Sequence, residues 1–252
     1  MQFASLGSGS KGNGTLIRVG DQLLLADCGF SLKETEKRMT KLGVSAEQIS
    51  AVLVTHEHGD HINGVGPLAR KYKLPVFMTA GTARSQKIGR IDDLRIINGY
   101  SAFSVNDIQV LPVAVPHDAA EPSQFIFEYA GKRLGLLTDL GSISPHVEDH
   151  YHGCDALILE ANHDPLMLAS GPYPASLKQR VGGAWGHLSN QQASGFLQRV
   201  DTTRLQLLVV AHISQQNNRL ELAQQVLGDV CHDIAQVIYA CQDEGFAWQA
   251  IA

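Results

Sequence analysis

The chain has 252 residues, of which 44% are hydrophobic and 18% charged, and its formal net charge is -5. This length and balance are those of an ordinary globular protein with a sizeable core. The negative charge argues against binding to nucleic acid through a general basic surface.

The start of the chain and its cysteines bear on where the protein resides. MQFASLGSGSKGNG has neither a basic start nor a long apolar run, and no stretch approaches about 18 apolar residues. The four cysteines form no CxxC pair. We therefore expect a cytoplasmic protein with reduced thiols and no membrane-spanning helix.

The first half of the chain predicts short strands followed by alternating strands and helices. Strands are predicted at 2–6, 15–19, 22–26, 51–54 and 75–78. Ser31 to Glu34 has the form of a capping box, and Gly43 ends the helix that it begins. Two more helices are predicted near 63–72 and 80–88.

The second half repeats this order of strands and then alternating strands and helices. Strands are predicted at 107–115, 123–130, 133–138, 155–160, 206–211 and 235–240, and helices near 174–180, 189–199 and 218–230. No linker or fixed-period repeat divides the chain, so residues 1–252 are predicted to form one domain. The quasi-repeated order predicts an α/β protein with two sheets face to face and helices outside.

The most informative stretch is VLVTHEHGDH, residues 52–61, in which three histidines and two acids follow an apolar strand. His56 and His58, two apart on an extended segment, point the same way. Gly59 lets the chain turn, so that Asp60 and His61 aim at a neighbouring point. Two such points predict two metal ions that share one loop.

Further residues of metal-ligand type follow later apolar strands. His117 comes after VAVP, Asp139 after LGLLT and His212 after LLVVA. A single histidine or aspartate in such a place is more often an ordinary polar or turn residue. Together with the His-rich loop, however, they complete a set of seven ligands: His56, His58 and His117 for one metal, Asp60, His61 and His212 for the second, and Asp139 between them.

The pattern His56-x-His58-x-Asp60-His61, with the later residues in order, resembles the metallo-β-lactamase superfamily over nearly the whole chain. This resemblance implies a four-layer αββα sandwich, a metal-bridging hydroxide as nucleophile, Asp60 as a catalytic ligand and Asp27 behind the site. True β-lactamases lack the full pattern, and flavodiiron-type members carry Glu in place of the second histidine. Antibiotic hydrolysis and oxygen reduction are therefore not expected.

Five stretches narrow the resemblance: SLGSGSKGNGT, HDAAEP, LEANHD, GHLSN and AHISQQNN. They are similar to the YycJ/WalJ branch, which is related to tRNase Z and to PhnP-type phosphodiesterases. This implies a phosphodiesterase, most directly an exonuclease acting on DNA ends or single strands. It also implies that Glu160 and His187 pair beside the metals as catalytic residues. His163 is expected either to contact substrate, to support Glu160 or to serve packing alone.

Three alternatives stay open at the level of sequence. A thioesterase or lactonase of the glyoxalase II type uses much the same ligands, a small cyclic-phosphate phosphodiesterase is another, and a non-enzymatic regulator is a third. The His-rich ligands suit zinc as the two divalent ions, and the carboxylates also tolerate manganese. DNA is the expected partner, no membrane is expected, and the oligomeric state stays open.

Overall fold

The computed structural model describes residues 1–252 and contains two seven-stranded sheets. The first sheet is formed by β1 (Gln2–Gly7), β2 (Gly14–Val19), β3 (Gln22–Ala26), β4 (Ile49–Leu53), β5 (Val76–Thr79) and β6 (Leu94–Ile97). The second is formed by β7 (Phe103–Val105), β8 (Ile108–Ala114), β9 (Ser123–Tyr129), β10 (Lys132–Leu137), β11 (Ala156–Glu160), β12 (Leu207–Ala211) and β13 (Gln236–Tyr239). The last strand, β14 (Phe246–Ala250), returns to the first sheet beside β1.

Both sheets have the same mixed pattern of pairing. In the first, β14, β1, β2 and β3 pair antiparallel, and β3 to β6 pair parallel. In the second, β7 to β10 pair antiparallel, and β10 to β13 pair parallel. Tight turns join the antiparallel strands, whereas parallel neighbours need longer crossover connections. The pattern confirms the quasi-repeat inferred from the sequence.

Nine α-helices connect these strands. Their bounds are α1 (Leu32–Lys41), α2 (Gly59–Ile62), α3 (Val65–Tyr72), α4 (Ala80–Ala83), α5 (Pro145–Tyr151), α6 (Pro165–Ser170), α7 (Ala175–Val181), α8 (Asn190–Arg199) and α9 (Leu220–Gly228). None of them has the length and apolar character that a membrane crossing requires.

Three apolar layers hold four layers of secondary structure together. The central one lies between the sheets and includes Leu24 and Phe125. A second buries Leu25 of the first sheet with Met39 of α1, and a third buries residues of the second sheet with Phe196 of α8. Leu24 and Leu25 face opposite layers because successive side chains of a strand alternate. This arrangement confirms the αββα sandwich, while the single domain stays a prediction.

Several local predictions need correction. The sequence analysis missed β6, β7 and β14, which are short edge strands, and also the short helices α5 and α6. Residues 80–88 form only α4 and a 3₁₀ turn at 86–88, not one helix. Ser31 Oγ accepts the Glu34 N–H at 3.4 Å, but the Glu34 carboxylate turns to Arg38, so the capping box is half formed.

The fold brings the carboxyl ends of β3 and β4 to one edge, opposite those of β8, β10, β11 and β12. Backbone hydrogen bonds connect the loops at this edge. Asn13 donates to the carbonyl of Asp60, and Cys28 donates to that of His61, both at 2.8 Å. Functional residues of open α/β sheets concentrate at such strand ends.

Gly29 is required for the close approach of these loops. A Cβ at this position would lie 1.7 Å from the carbonyl oxygen of Asp60, which cannot move without moving the His-rich loop. We expect Gly29→Ala to lower the free energy of unfolding by about 1–3 kcal/mol. Unfolding in urea measures this loss.

Gly228→Ala is the matched control, since no atom lies within 4 Å of a Cβ built at the end of α9. This variant should unfold at the parental urea concentration or above it. Equal midpoints for the two variants would contradict the packing role of Gly29.

Candidate metal centre

Two residues separate the end of β4 from His56, where the His-rich loop (residues 56–61) begins. The loop passes into the single turn of α2. His56 and His61 are fully buried, and His58 and Asp60 face the cleft with side chains 27% and 23% exposed. The polar loop is buried because it packs beneath the loops of both sheets rather than at the surface.

Two groups of ligand-type side chains converge at this edge. His56, His58 and His117 place one ring nitrogen each within 4.8 Å of one another. A carboxylate oxygen of Asp60 and ring nitrogens of His61 and His212 form a second group within the same limit. The two groups are the ones that the sequence analysis predicted. Their role as ligands stays a prediction.

Asp139 lies near both groups, since one of its carboxylate oxygens is within 4.8 Å of ring nitrogens of His56 and His61. Its Oδ2 lies 3.3 Å from His61 Nε2, and its Oδ1 lies 3.5 Å from His212 Nε2. Asp139 and His212 both adopt a φ of 54°, and Asp27 adopts 62°, so three of the six non-glycine residues with positive φ lie at this edge. Such backbone conformations cost energy and concentrate at functional sites.

Each histidine of the two groups directs one ring nitrogen to a protein acceptor and the other toward the centre, where His61 Nε2 also lies 3.0 Å from the Asn13 amide and His58 Nδ1 lies 3.2 Å from His117 Nε2. The ring N–H of His56 donates to Thr55 Oγ1, that of His58 to the Asp118 carbonyl, and that of His117 to the Gly186 carbonyl. The ring N–H of His61 donates to Asp27, and that of His212 donates to Glu160. This outer support fixes the orientation and tautomer of metal-binding histidines.

Three buried polar atoms at the centre have no hydrogen-bond partner. They are His56 Nε2, Asp139 Oδ2 and His212 Nε2. Buried polar atoms are nearly always satisfied, so this concentration requires an explanation. A divalent cation supplies it, since imidazole and carboxylate together are the ligands of zinc and related ions. The donor set therefore fits divalent metal binding.

The titration behaviour of the metal-free groups agrees with this fit. Burial lowers the pKa of His212, but the charges of Asp139 and Glu160 outweigh it and raise the pKa to about 9. His61 is likewise held well above its ordinary pKa against burial, by Asp139 and Asp27. Burial and the charge of His61 hold the pKa of His56 well below its usual range. A cation bound at these two nitrogens would replace the protons that His61 and His212 otherwise hold.

Asp27 supports the first sheet's half of the centre. Its Oδ2 accepts hydrogen bonds from the His61 ring and from the Thr55 hydroxyl, and its Oδ1 accepts the Thr55 N–H, all at 2.8 Å. The Thr55 hydroxyl in turn accepts the ring N–H of His56. Asp27 therefore lies behind His61, as the resemblance implied.

Glu160, the last residue of β11, has the corresponding place in the second sheet. Its Oε1 accepts the ring N–H of His187 at 2.7 Å and that of His212 at 3.0 Å. Its Oε2 accepts the backbone N–H groups of Leu140 and Leu188. Burial opposes ionisation, but the charge and hydrogen bond of His187 prevail and lower the pKa of Glu160 to about 2. The sequence analysis paired Glu160 with His187 and missed its contact with His212.

His187 faces the cleft beside this group. Its side chain is 22% exposed, and no residue of the protein forms a hydrogen bond with its Nε2. Burial lowers its pKa, but the Glu160 carboxylate outweighs this effect and raises it above the ordinary value. Ser189 caps α8 two residues later and anchors the loop. The geometry therefore leaves His187 Nε2 without a protein partner at the lining of the cleft.

Other contacts were not foreseen. Asn13 in the glycine-rich loop lies 3.0 Å from His61 Nε2 and accepts the Gly9 N–H at 2.7 Å. The Ser8 hydroxyl accepts the backbone N–H of His212. The only sequence signal was the run GSGSKGNG.

His163 is buried, and its Nδ1 has no hydrogen-bond partner. It forms no hydrogen bond with Glu160, so no contact supports the expectation that it holds Glu160 in place.

Comparison with known proteins identifies relatives over most of the chain. A sequence profile described as "Beta-lactamase superfamily domain" matches residues 23–213. Two similar proteins are exodeoxyribonuclease YycJ of Bacillus anthracis, 37% identical over 92% of this chain and 90% of its own, and exodeoxyribonuclease WalJ of Streptococcus pneumoniae, 34% identical over 90% and 86%.

Among solved structures, the metallo-β-lactamase fold protein YhfI of Bacillus subtilis superposes with a TM-score of 0.73. It is 18% identical and is matched over 99% of both chains, so the likeness concerns the fold. The resemblance stated from the motifs is confirmed by these matches.

The ligand set is tested by two substitutions. His58→Ala removes one ring from the first group, and Asp139→Asn removes the central charge while an asparagine tolerates the positive φ. Both variants should fold and should bind less zinc, with affinity at least about tenfold weaker, since even outer-shell losses weaken binding by about 10–100-fold. Metal analysis and zinc titration with a competing chelator measure this.

His232→Ala is the control, because the ring of His232 is 70% exposed and contacts only Asp229 and Asp233. It should keep the parental metal content. A His58→Ala protein that holds as much zinc as the control would contradict the assignment.

Proposed function

The chain belongs to the β-lactamase superfamily, and on that premise we propose that it is a metal-dependent phosphodiesterase that acts on DNA as an exonuclease, at ends or on single strands. Two relatives that match along most of the chain are named exodeoxyribonucleases. The observation that carries the proposal is the His187–Glu160 pair, which leaves His187 Nε2 at the lining of the cleft beside both ligand groups.

In this proposal, His56, His58 and His117 hold one divalent ion, Asp60, His61 and His212 hold a second, and Asp139 is shared. Zinc suits the five histidines, and manganese is compatible with the carboxylates. When bound, such a pair supplies Lewis-acid chemistry and a water-derived nucleophile at neutral pH.

His187 provides the proton for the leaving group. Hydrolysis of a DNA phosphodiester expels an alkoxide, which is a poor leaving group unless it is protonated as it departs. Glu160 raises the pKa of His187, which favours the protonated ring, and it accepts the Nδ1–H so that Nε2 is left for the cleft. Positioned general acids of this kind contribute about 10²–10⁴-fold to the rate.

The same pair argues against a thioesterase of the glyoxalase II type. A thiolate leaves without protonation, because the pKa of a thiol is only about 8.5. A thioesterase would gain little from an imidazolium beside the leaving group. The buried Glu160 that raises the pKa of this histidine therefore favours an alkoxide leaving group.

A substrate panel tests the class of reaction. Zinc- and manganese-loaded protein should hydrolyse bis(p-nitrophenyl) phosphate and labelled single-stranded DNA, with little turnover of S-lactoylglutathione or the β-lactam nitrocefin. Binding to long duplexes should be weak and should fall with added salt, because only phosphate contacts can supply it. Faster turnover of S-lactoylglutathione or nitrocefin than of both phosphodiesters would overturn the proposal.

The acid role of His187 is tested by the leaving group. His187→Ala should lose about 10²–10⁴-fold in kcat on DNA and much less on bis(p-nitrophenyl) phosphate, whose p-nitrophenolate leaves without a proton. Its metal content should stay parental, because the proposed ligands are other residues. Turnover of the two substrates and metal analysis on one preparation provide the comparison.

His150→Ala, on α5 and away from the cleft, controls for loss of a histidine and should behave as the parent. Glu160→Gln is expected to weaken both the acid and metal binding, since Glu160 also orients His212. Equal losses on both substrates in His187→Ala, or loss of metal, would show that His187 has another role.

A further inference from the structure

The cleft beside the candidate metal centre has a volume of about 350 Å³, and one of its walls is α7. Histidines, acids, amides and small residues make up most of its lining. Arg180, at the carboxyl end of α7, is the single Lys or Arg among the lining residues. In an acidic protein, one cation at this place is a specific feature rather than part of a basic surface.

The guanidinium of Arg180 is oriented but not saturated. Its Nε donates to Asp118 Oδ2, and no other residue of the protein accepts a hydrogen bond from it. Asp118 is itself fixed, because its N–H donates to the Trp185 carbonyl at 2.9 Å and its own carbonyl accepts the ring N–H of His58. The two terminal nitrogens of Arg180 therefore remain available to a ligand in the cleft.

Arg180 is also connected to the proposed acid. The backbone N–H of His187 donates to the Val181 carbonyl at 2.8 Å, and a Cβ at Gly186 would lie 2.1 Å from the Arg180 carbonyl. This close approach joins the end of α7 to the loop that bears His187. A substrate group that Arg180 binds would thereby be held in a fixed position relative to His187, the proposed acid for the leaving group.

The same wall offers an apolar surface. Tyr173, two residues before α7, and Leu177 and Val181 within it line the cleft and are only half-buried. No residue of α7 is fully buried, so this helix leaves much of its apolar surface at the cleft. This aromatic and aliphatic surface lies next to a guanidinium whose two terminal nitrogens are not hydrogen-bonded. Together they complement a nucleotide, because the base and sugar can pack on the apolar surface while the phosphate binds the guanidinium.

Arg180 lies at the rim of the cleft. Its side chain is 58% exposed at the rim, and it makes no contact with the two ligand groups other than through Asp118. The hydrogen bond of Asp118 raises the pKa of the guanidinium, and the charge of Asp60 across the cleft adds to the rise. With the scissile phosphate at the ligand groups, we assign this rim cation to the next phosphate along the strand.

We propose that α7 is the nucleotide-binding wall of the cleft, where Arg180 binds the phosphate adjacent to the scissile one and Tyr173 packs against the attached nucleoside. This assignment rests on the proposed phosphodiesterase function and adds a substrate class to it. The preferred substrate is a strand with at least two consecutive phosphates, not an isolated diester. The rim ion pair with Asp118 is weak enough for a phosphate to share the guanidinium.

Arg180→Gln tests the proposal in the metal-loaded full-length protein. KM for a short single-stranded DNA should rise about 10- to 100-fold, the value of a charge-assisted hydrogen bond, while KM for bis(p-nitrophenyl) phosphate changes far less because it has one phosphate. The slope of log Kd against log salt should fall by about 0.7, since one phosphate contact is lost. Arg180→Lys should recover part of the affinity.

Arg199→Gln is the matched control. Arg199 on α8 donates its Nε to Glu148 in the same one-bond manner and does not line the cleft. It removes the same charge and should keep the parental KM and salt slope. Tyr173→Ala should weaken single-strand binding, whereas Tyr100→Ala, which removes a 71% exposed ring outside the cleft, should not.

The outcomes separate this proposal from the proposed function. If the parent cleaves DNA and Arg180→Gln keeps its KM and salt slope, the role of α7 is wrong and the nuclease function stands. An equal rise in KM for both phosphodiesters would place Arg180 on the scissile phosphate and also contradict the proposal. A parent that neither binds nor cleaves DNA would overturn both.

Discussion

The ionised carboxylate of Glu160, buried between two sheets, is the interaction on which the arrangement of the site depends. Burying a charge is costly unless hydrogen bonds and opposite charges surround it. Here two imidazoles and two backbone N–H groups do so, and they come from the loops that carry Asp139, His187 and His212. One side chain therefore holds three loops of the second sheet in register.

Asp27 has a corresponding place in the first sheet. The repeated order of strands and helices is therefore accompanied by a repeated pairing of a carboxylate with a histidine. Each sheet ends in a buried carboxylate that orients a histidine of the candidate metal centre, His61 in one and His212 in the other. With Asp60 and Asp139, four carboxylates surround the centre, and a pair of divalent ions would offset their charge. Metal binding and the correct approach of the two sheets are therefore expected to support each other.

The cleft is asymmetric in a way that suits a polymeric substrate. The ligand groups lie at its base, Nε2 of His187 lies beside them, and the α7 wall adds a cation and an apolar surface. Close backbone packing at Gly186 connects the loop that bears His187 to the carboxyl end of α7. In our proposals, the strand-end loops carry out the hydrolysis, and a short helical connection selects among phosphodiesters.

The sequence by itself determined the sandwich and the seven ligand candidates. Each candidate directly follows an apolar strand or lies in the HxHxDH loop, and the local pattern and the order along the chain carry that information. The tertiary structure alone decided that Glu160 orients His212 across 52 positions and that Asp118 fixes Arg180 across 62. It also decided that Asn13 reaches His61 across 48. These contacts arise where separate crossovers meet, and hydrophobic periodicity describes how each element faces the core but not which loops come together at its edge.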